Sequence, residues 1–139
     1  MSKNYFQILR AGINTTFQDL GRENLYHIGI PFSGAMDRRN YLISNRLVQN
    51  KSDLPVIEFA YQGPLMKYFG ERINVAITGD VHFTIKKKDN KIEGLCYQNY
   101  FLENGDEIDI LSTNKSVYGY FSIGGEFDLK YQWGSCSIN

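Results

Sequence analysis

The sequence is poor in the features that mark several classes of protein. Its 139 residues include two cysteines, three prolines and one tryptophan. No window approaches the roughly 18 consecutive apolar residues of a membrane span. Cys96 and Cys136 stand far apart without any CxxC or similar ligand spacing, so the sequence predicts two reduced thiols and neither a disulfide framework nor a metal site.

An excess of charge of one sign is also missing, since fifteen Lys+Arg balance fifteen Asp+Glu. Domains that bind nucleic acid usually carry a basic excess that replaces the counterions around phosphate. Residues 1–12 lack the continuous apolar run and small-residue cleavage site of a secretory signal. These absences predict a cytoplasmic protein with no nucleic-acid partner and no membrane partner.

Hydrophobic side chains are plentiful, at 42% of the sequence, and ten tyrosines contribute to an aromatic content of 14%. A chain of this size buries roughly two thirds of its unfolded surface without the help of disulfides or a structural metal. We therefore expect a single folded domain over residues 1–139.

Short apolar or alternating runs bounded by turn residues dominate the pattern and are typical of strands. Strands are predicted at Tyr5–Leu9, Val56–Ala60, Leu65–Phe69, Ile73–Ile77, Val81–Lys86, Tyr97–Leu102, Glu107–Leu111, Val117–Ile123 and Phe127–Tyr131. One helix is predicted, with Asp37 as its N-cap and its end near Asn50. The predicted fold class is mainly β with one helix, a barrel or sandwich-like unit.

A basic cluster interrupts the strand pattern at Lys86, Lys87, Lys88 and Lys91. The Asp89-Asn90 content of this stretch is typical of a hairpin turn. We interpret the lysines as a solvated hairpin tip, with an anion-binding patch as the alternative.

Chemistry-bearing side chains are concentrated between residues 12 and 37. This stretch contains Asp19, Arg22, His27, Ser33 and Asp37 together with Gly12, Gly21, Gly29 and Gly34. Glycines at this density let the backbone turn sharply or approach a ligand closely. A long ordered loop is usually functional, so residues 12–34 are predicted to form a functional loop.

Each of these side chains also has a simpler interpretation. Asp19 and Arg22 could present guanidinium donors to a substrate carboxylate or phosphate, or could only pin the loop. His27 has no readable partner and is typical of a packed, hydrogen-bonded histidine. Ser33 is not in a GxSxG elbow, and helix capping alone accounts for Asp37.

Two blocks of this region carry a family resemblance. Residues 15–22 and 29–37 resemble the TxQDLGR and GxPxSGAMD signature of the allophanate hydrolase subunit 2 family, also called the biotin-dependent carboxyltransferase family, which includes the C-type subunit of 5-oxoprolinase. Later segments resemble further patterns of that family at residues 45–50, 57–58, 63–64, 77–80, 105–108, 118–125 and 134–137. Gln49 and Asp80 depart from it, where the family has glycine and alanine.

The resemblance implies a cyclophilin-like β-barrel domain and a role in ATP-dependent amide chemistry. It favours a subunit of a 5-oxoprolinase, which converts 5-oxoproline to glutamate together with a subunit-1-type partner and a third subunit. The alternatives are a carboxyltransferase piece of a urea-carboxylase-type biotin enzyme, a non-catalytic regulatory binding module, or a truncated remnant. Family members are longer, so the chain corresponds to their N-terminal half, and a separately encoded second half is a further expected partner.

Cofactor motifs are absent from the sequence itself. No GxxxxGK[ST] phosphate loop occurs, so ATP is expected to be bound with partner subunits. Met66-Lys67 is followed by Tyr68, which departs from the Met-Lys-Met biotinylation site, so biotin remains an expected cofactor only if another chain or domain carries it.

The resulting site hypothesis assigns catalytic roles to Asp19, Arg22, Ser33 and Asp37. It assigns substrate binding to Gln18, Gly29 and Gly34. Arg22, oriented by Asp19, would bind a carboxylate or carboxyphosphate-like group. Backbone donors near the two glycines and Ser33 would polarise an amide carbonyl, as in an oxyanion site.

Overall fold

Twelve strands and one helix occur in the part of the chain that this computed structural model describes, residues 4–18, 35–128 and 135–138. In chain order they are β1 (Asn4–Arg10), β2 (Thr16–Gln18), α1 (Arg38–Leu47), β3 (Val56–Ala60), β4 (Leu65–Phe69), β5 (Ile73–Thr78), β6 (Val81–Lys86), β7 (Lys91–Glu93), β8 (Asn99–Leu102), β9 (Glu107–Thr113), β10 (Tyr118–Ile123), β11 (Phe127–Asp128) and β12 (Ser135–Ile138). The helix is too short and too polar to cross a membrane, and no other helix occurs in these ranges.

The strands form two antiparallel sheets. One has seven strands in the order β11-β12-β1-β4-β9-β6-β7, and the other has five in the order β2-β3-β10-β5-β8. The predicted fold class, mainly β with one helix, is confirmed. Within the described residues, the strands of the predicted barrel are divided between two separate sheets.

The hydrophobic core lies between the two sheets. Phe6 of β1 meets Phe121 of β10 edge to face, with ring centroids 5.5 Å apart. Because side chains alternate along a strand, Ile57 and Phe59 of β3 face this core. Glu58, which stands between them, faces the other side of the five-stranded sheet, where α1 packs. All five residues of β3 are consequently buried.

Helix α1 begins as the sequence predicts and ends earlier. Asp37 is its N-cap, since its side chain accepts a hydrogen bond from the backbone N–H of Asn40. The helix ends at Leu47, with Val48 as C-cap, because Gln49 adopts a left-handed φ of 61°. A left-handed residue after the C-cap is usually glycine, the residue that the family pattern has at this position.

Several strand predictions need correction. Strand β2 lies within the stretch that was expected to be one long loop, and β12 was not predicted. Strand β8 starts at Asn99 rather than at Tyr97, which has a φ of 65° that extended backbone does not allow. Of the strand predicted at 127–131, only Phe127–Asp128 is a described strand.

The predicted hairpin is confirmed, with Lys86 of β6 paired opposite Lys91 of β7. The expectation that all four lysines are solvated is wrong for Lys87. Its ammonium donates to the carboxylate of Asp106 at 2.5 Å and to the carbonyl of Phe101 at 3.0 Å. This lysine therefore links the hairpin to β8 and to the loop before β9.

Candidate functional site

A row of polar side chains crosses the five-stranded sheet beneath α1. Thr16 of β2 pairs with Glu58 of β3, Glu58 pairs with Tyr120 of β10, and Tyr120 pairs with Thr78 of β5. Residues directly opposite each other in a sheet share a face. Four neighbouring strands therefore place one polar side chain each on the helix-covered face, and we call this set the polar row.

Glu58 is the charged member of the polar row and is only 5% exposed. Its Oε2 accepts a hydrogen bond from the backbone N–H of Met36 at 2.9 Å and from the hydroxyl of Tyr120 at 2.5 Å. None of the ion pairs formed among the described residues involves this carboxylate. A buried carboxylate needs such donors because burial penalises an unpaired charge.

Tyr120 connects Glu58 to the start of the helix. Its hydroxyl donates to Glu58 and accepts from the backbone N–H of Asp37 at 2.7 Å. Burial, followed by the hydrogen bond to Glu58, raises the pKa of Tyr120 far above its usual range. The phenol consequently remains a neutral donor to Glu58 throughout the physiological pH range.

The carboxylate of Asp37 is engaged by the first turn of α1. Its Oδ1 accepts from the backbone N–H of Asn40 at 3.1 Å, and its Oδ2 accepts from the Asn40 side-chain amide at 2.7 Å. Asn40 in turn accepts a hydrogen bond from the Tyr97 hydroxyl at 2.6 Å and, at its carbonyl, from Thr78 at 2.8 Å. The capping interpretation of Asp37 is confirmed, and its catalytic role stays a prediction.

Gln18 lies at the end of β2, diagonally across from Glu58 on the same sheet face. It is 6% exposed, and its Nε2 donates to the Thr16 hydroxyl at 2.9 Å. Its Oε1 is buried and has no hydrogen-bond partner among the described residues. An unsatisfied buried acceptor costs about 1–3 kcal/mol, so this oxygen is suited to accept an N–H from a ligand.

The remaining predicted site residues lie outside the described part of the chain. These are Asp19, Arg22, Gly29, Ser33 and Gly34, together with His27. Two described residues on either side of that segment border the polar row. Gln18 lies beside it in β2, and Met36 donates its N–H to Glu58.

Glu58 and Tyr120 were not among the predicted site residues, although the sequence carried a signal for one of them. Glu58 is the single charged residue within the otherwise apolar run Val56–Ala60. A charged residue in a strand that reads as buried on both faces indicates a partnered, functional or structural role. Tyr120 carried no such signal, because tyrosine is common in strands.

A cavity of about 590 Å³ lies beside the start of the helix and is lined in part by Asn40, Asp80, Cys96 and Tyr97. The Asp80 carboxylate is occupied by the N–H of Lys115 at 3.1 Å and by the Asn114 side chain at 3.3 Å. Burial raises the pKa of the Cys96 thiol, which donates to a backbone carbonyl. These hydrogen bonds are made within the protein and stabilise the local turn.

Two features of the described ranges bear on the binding of a metal and of biotin. No cluster of three or more His, Cys, Asp or Glu side chains with metal-binding geometry occurs there. Lys67 lies within β4, between β1 and β9, and its ammonium is 5.5 Å from the Phe69 ring centroid. Lys67 is half-buried, and the Met-Lys-Tyr sequence around it departs from the Met-Lys-Met biotinylation site.

The fold and the polar row together define a mainly β domain whose single described helix packs over a row of polar side chains. Residues 28–139 match the family model described as carboxyltransferase domain, subdomain A and B. The chain belongs to this carboxyltransferase family.

The relatives of this chain include two kinds of protein. It is 33% identical over 135 residues to urea amidolyase of Lachancea kluyveri, covering 95% of this chain and 7% of that protein. It is 30% identical over 132 residues to the C-type subunit of 5-oxoprolinase from Haemophilus influenzae, covering 95% of this chain and 41% of that protein. The chain therefore spans less than half of the length of these relatives.

The solved structures include a similar fold. The crystal structure of the Kluyveromyces lactis urea carboxylase superposes with a TM-score of 0.77 at 28% identity, covering 92% of this chain and 11% of that one. The two-sheet architecture is thus shared with part of a much larger enzyme.

Proposed function

We propose that this chain is a cytoplasmic subunit of a 5-oxoprolinase-type complex, which opens the lactam of 5-oxoproline to glutamate as ATP is hydrolysed. Its partners in the complex, one of the subunit-1 type and a third protein, bind the nucleotide with it. The observation that carries the proposal is a pair of buried hydrogen-bond acceptors, Gln18 Oε1 and the Glu58 carboxylate. They lie on one sheet face, where Met36 also donates its N–H to Glu58. The named relative from Haemophilus influenzae supports the choice of reaction.

The acceptor pair suits a small amide. Diagonal neighbours on adjacent strands stand roughly 7–8 Å apart, a spacing that admits a planar amide between their side chains. The lactam N–H donates to Gln18 Oε1, while Glu58, held by Tyr120 and Met36, presents negative charge to the same side of the ring. Fixed acceptors of this kind orient a substrate without reorganising during the reaction.

The segment between Gln18 and Met36 supplies the complementary donors in this proposal. Arg22, oriented by Asp19, binds the substrate carboxylate as a charge-assisted pair. Backbone N–H groups near Gly29, Ser33 and Gly34 polarise the lactam carbonyl. Asp37 acts as a positioning residue in this proposal, because its carboxylate caps α1 while its own N–H and that of Met36 donate to Tyr120 and Glu58 just before the helix.

Co-purification with the two partner subunits, followed by an assay of ATP-dependent glutamate release from 5-oxoproline, tests the proposal. Gln18→Met keeps the side-chain length and removes the acceptor, so we expect KM to rise roughly tenfold, the equivalent of one hydrogen bond of about 1.4 kcal/mol. Gln7→Met, at an exposed position of β1, is the matched control. A verified complete complex that releases no glutamate would count against the function.

Arg22 has its own test in the same complex. Arg22→Ala is expected to raise KM at least tenfold, because a charge-assisted pair contributes about 1.5–3 kcal/mol. Arg72→Ala, which removes an exposed arginine stacked on Phe101, serves as the control. Unchanged affinity and turnover in Arg22→Ala would show that this arginine does not bind the substrate.

Urea carboxylation is the second candidate, and the likeness to the Lachancea kluyveri urea amidolyase and to the Kluyveromyces lactis urea carboxylase favours it. Carboxybiotin would come from another chain or domain, because the sequence around Lys67 departs from the Met-Lys-Met biotinylation site. Urea-dependent ATP consumption with bicarbonate, a biotin carboxylase and a carrier domain, without glutamate release from 5-oxoproline, would select this candidate. Binding of either amide without turnover would instead indicate a regulatory module.

A further inference from the structure

The outward side of α1 carries a concentration of positive charge. Arg38, Arg39 and Arg46 are exposed, and the half-buried Leu42 and Ile43 lie between them at helical i, i+4 spacing. Together these five residues line a groove of about 480 Å³, which we call the arginine face. An apolar floor with a charged rim is the composition expected of a protein interface.

The three arginines of this face differ from the two other arginines in the described ranges. Arg10 pairs with Asp109, and Arg72 stacks on Phe101. None of the ion pairs or cation–π contacts between described residues involves the arginine face. The sequence of α1 also contains no acidic residue that could pair with these arginines at i+3 or i+4.

The position of two of these arginines also lowers the stability of the helix. Arg38 and Arg39 lie in the first turn, which contains no acidic residue. The N-terminus of a helix carries a partial positive charge, so each basic side chain there costs about 0.3–1 kcal/mol. A local arrangement that costs stability, with no compensating ion pair among the described residues, is typical of a functional surface.

We propose that the arginine face docks an acidic surface of a partner subunit, with an apolar side chain of that partner seated between Leu42 and Ile43. The identity of the partner rests on the proposed function, whereas the charge and shape of the surface do not. A second copy of this chain is disfavoured as the occupant, because a two-fold contact would place arginine against arginine. Since α1 starts at the polar row, a partner bound here borders the site.

Charge reversal on the helix tests this inference. Arg38→Glu, Arg39→Glu and Arg46→Glu are combined, and the matched control combines Lys86→Glu, Lys88→Glu and Lys91→Glu on the hairpin. The substitutions at Arg38 and Arg39 place acidic residues in the first turn and favour the helix, whereas Arg46→Glu removes a favourable basic residue from the last turn. Thermal unfolding of both triple variants checks directly that each still folds.

Two probes are measured with the full chain. The first is the pair of partner subunits, and the second is a labelled helical peptide of glutamate and leucine, compared with its glutamine counterpart. We expect the helix variant to bind both the subunits and the acidic peptide at least tenfold more weakly than the wild type, which is roughly 1.4 kcal/mol. The hairpin variant should bind within about twofold, and wild-type affinity should fall as salt rises.

Each contrary result identifies what failed. Equal binding of the two triple variants to both probes would overturn the inference, even if the complex releases glutamate. Loss of peptide binding in the helix variant would support the surface even if the complex proves inactive. Equally tight binding of a single-stranded oligonucleotide would show that the face binds polyanions in general and would overturn the acidic partner. Self-association that the helix variant abolishes would show that the occupant is a second copy of this chain.

Discussion

At the scale of single residues, the polar row is held together by one buried hydrogen bond between a phenol and a carboxylate. Glu58 has little solvent access, and its Oε2 receives the Tyr120 hydroxyl and the Met36 N–H. Removing one donor from a buried charged acceptor costs more than an ordinary hydrogen bond contributes, because the acceptor stays desolvated. Tyr120 is therefore as important to the site as Glu58 itself.

Tyr120→Phe tests that dependence. It removes the donor to Glu58 and the acceptor for the Asp37 N–H, so we expect the free energy of unfolding to fall by about 1–3 kcal/mol. Tyr118→Phe, two residues earlier in β10 and on the same sheet face, is the control. Urea unfolding of the three proteins measures the difference, and equal losses in both variants would contradict the role of Tyr120.

The raised pKa of Tyr120 also predicts a dependence of stability on pH. Above its ordinary value of 10.0 the unfolded chain loses the phenolic proton while the folded chain keeps it. This contribution is therefore fully present below about pH 10 and is lost as pH rises further, by at most about 1.4 kcal/mol per pH unit. The stability difference between wild type and Tyr120→Phe should narrow above pH 10. A constant difference would show that the folded state does not retain the proton.

At the scale of elements, α1 is well specified at its start and strained at its end. Asp37 satisfies a backbone donor of the first turn, as N-cap residues do. At the other end, Gln49 occupies a left-handed conformation, which costs an L-residue roughly 1–2 kcal/mol. The helix therefore has one favourable terminus and one unfavourable terminus.

Gln49→Gly should stabilise the domain. Glycine adopts a φ of 61° without steric cost, and after the entropy that glycine adds to the unfolded chain we expect a net gain of about 0.5–1 kcal/mol. Gln49→Ala retains the left-handed strain and serves as the control. Thermal denaturation of both variants is the measurement, and no gain in the glycine variant would show that the strain is relieved elsewhere.

Substitutions at Asp37 separate capping from catalysis. Asp37→Ala should lower the free energy of unfolding by about 0.5–2 kcal/mol, whereas Asp37→Asn keeps a capping oxygen and should change it much less. Glutamate release by the reconstituted complex is measured alongside. An Asn variant that is stable and active would limit Asp37 to positioning, and one that is stable and inactive would support its predicted catalytic role.

At the scale of the whole molecule, distant segments are joined by single polar side chains. One guanidinium nitrogen of Arg10 donates to the Gly63 carbonyl at 3.1 Å and to Asp109 and the Ile110 carbonyl at 2.9 Å each. These acceptors lie in the turn before β4 and in β9. Arg10 thereby ties β1 to the strands that follow it in the seven-stranded sheet.

Arg10→Ala is expected to lower the free energy of unfolding by about 1–3 kcal/mol, because it leaves two carbonyls and a carboxylate without this donor. Arg72→Ala, which removes an exposed arginine stacked on Phe101, should lower it by no more than about 0.5–1 kcal/mol. Denaturant unfolding measures both. Similar losses in the two variants would mean that Arg10 contributes no more than a surface arginine.

The accuracy with which the sequence predicted an element depended on the length of that element. The five-residue strands β3 and β4 show clear alternation or continuous apolar character, and their predicted ranges agree with the structure. Strand β2 has three residues within a polar, glycine-containing stretch, so its periodicity is too short to detect. It forms because it pairs with β3, which is a tertiary contact.

Local features of this protein followed from the order of its residues: the strand-rich character, the single helix with its Asp37 cap, and the motif blocks that indicated the family. These depend on neighbouring residues, whose spacing is visible in the chain. The polar row of Thr16, Glu58, Tyr120 and Thr78 emerged only in three dimensions, because register between strands distant in sequence depends on how the whole sheet buries its core face. The same nonlocal pairing brought Gln18 beside a carboxylate forty residues away.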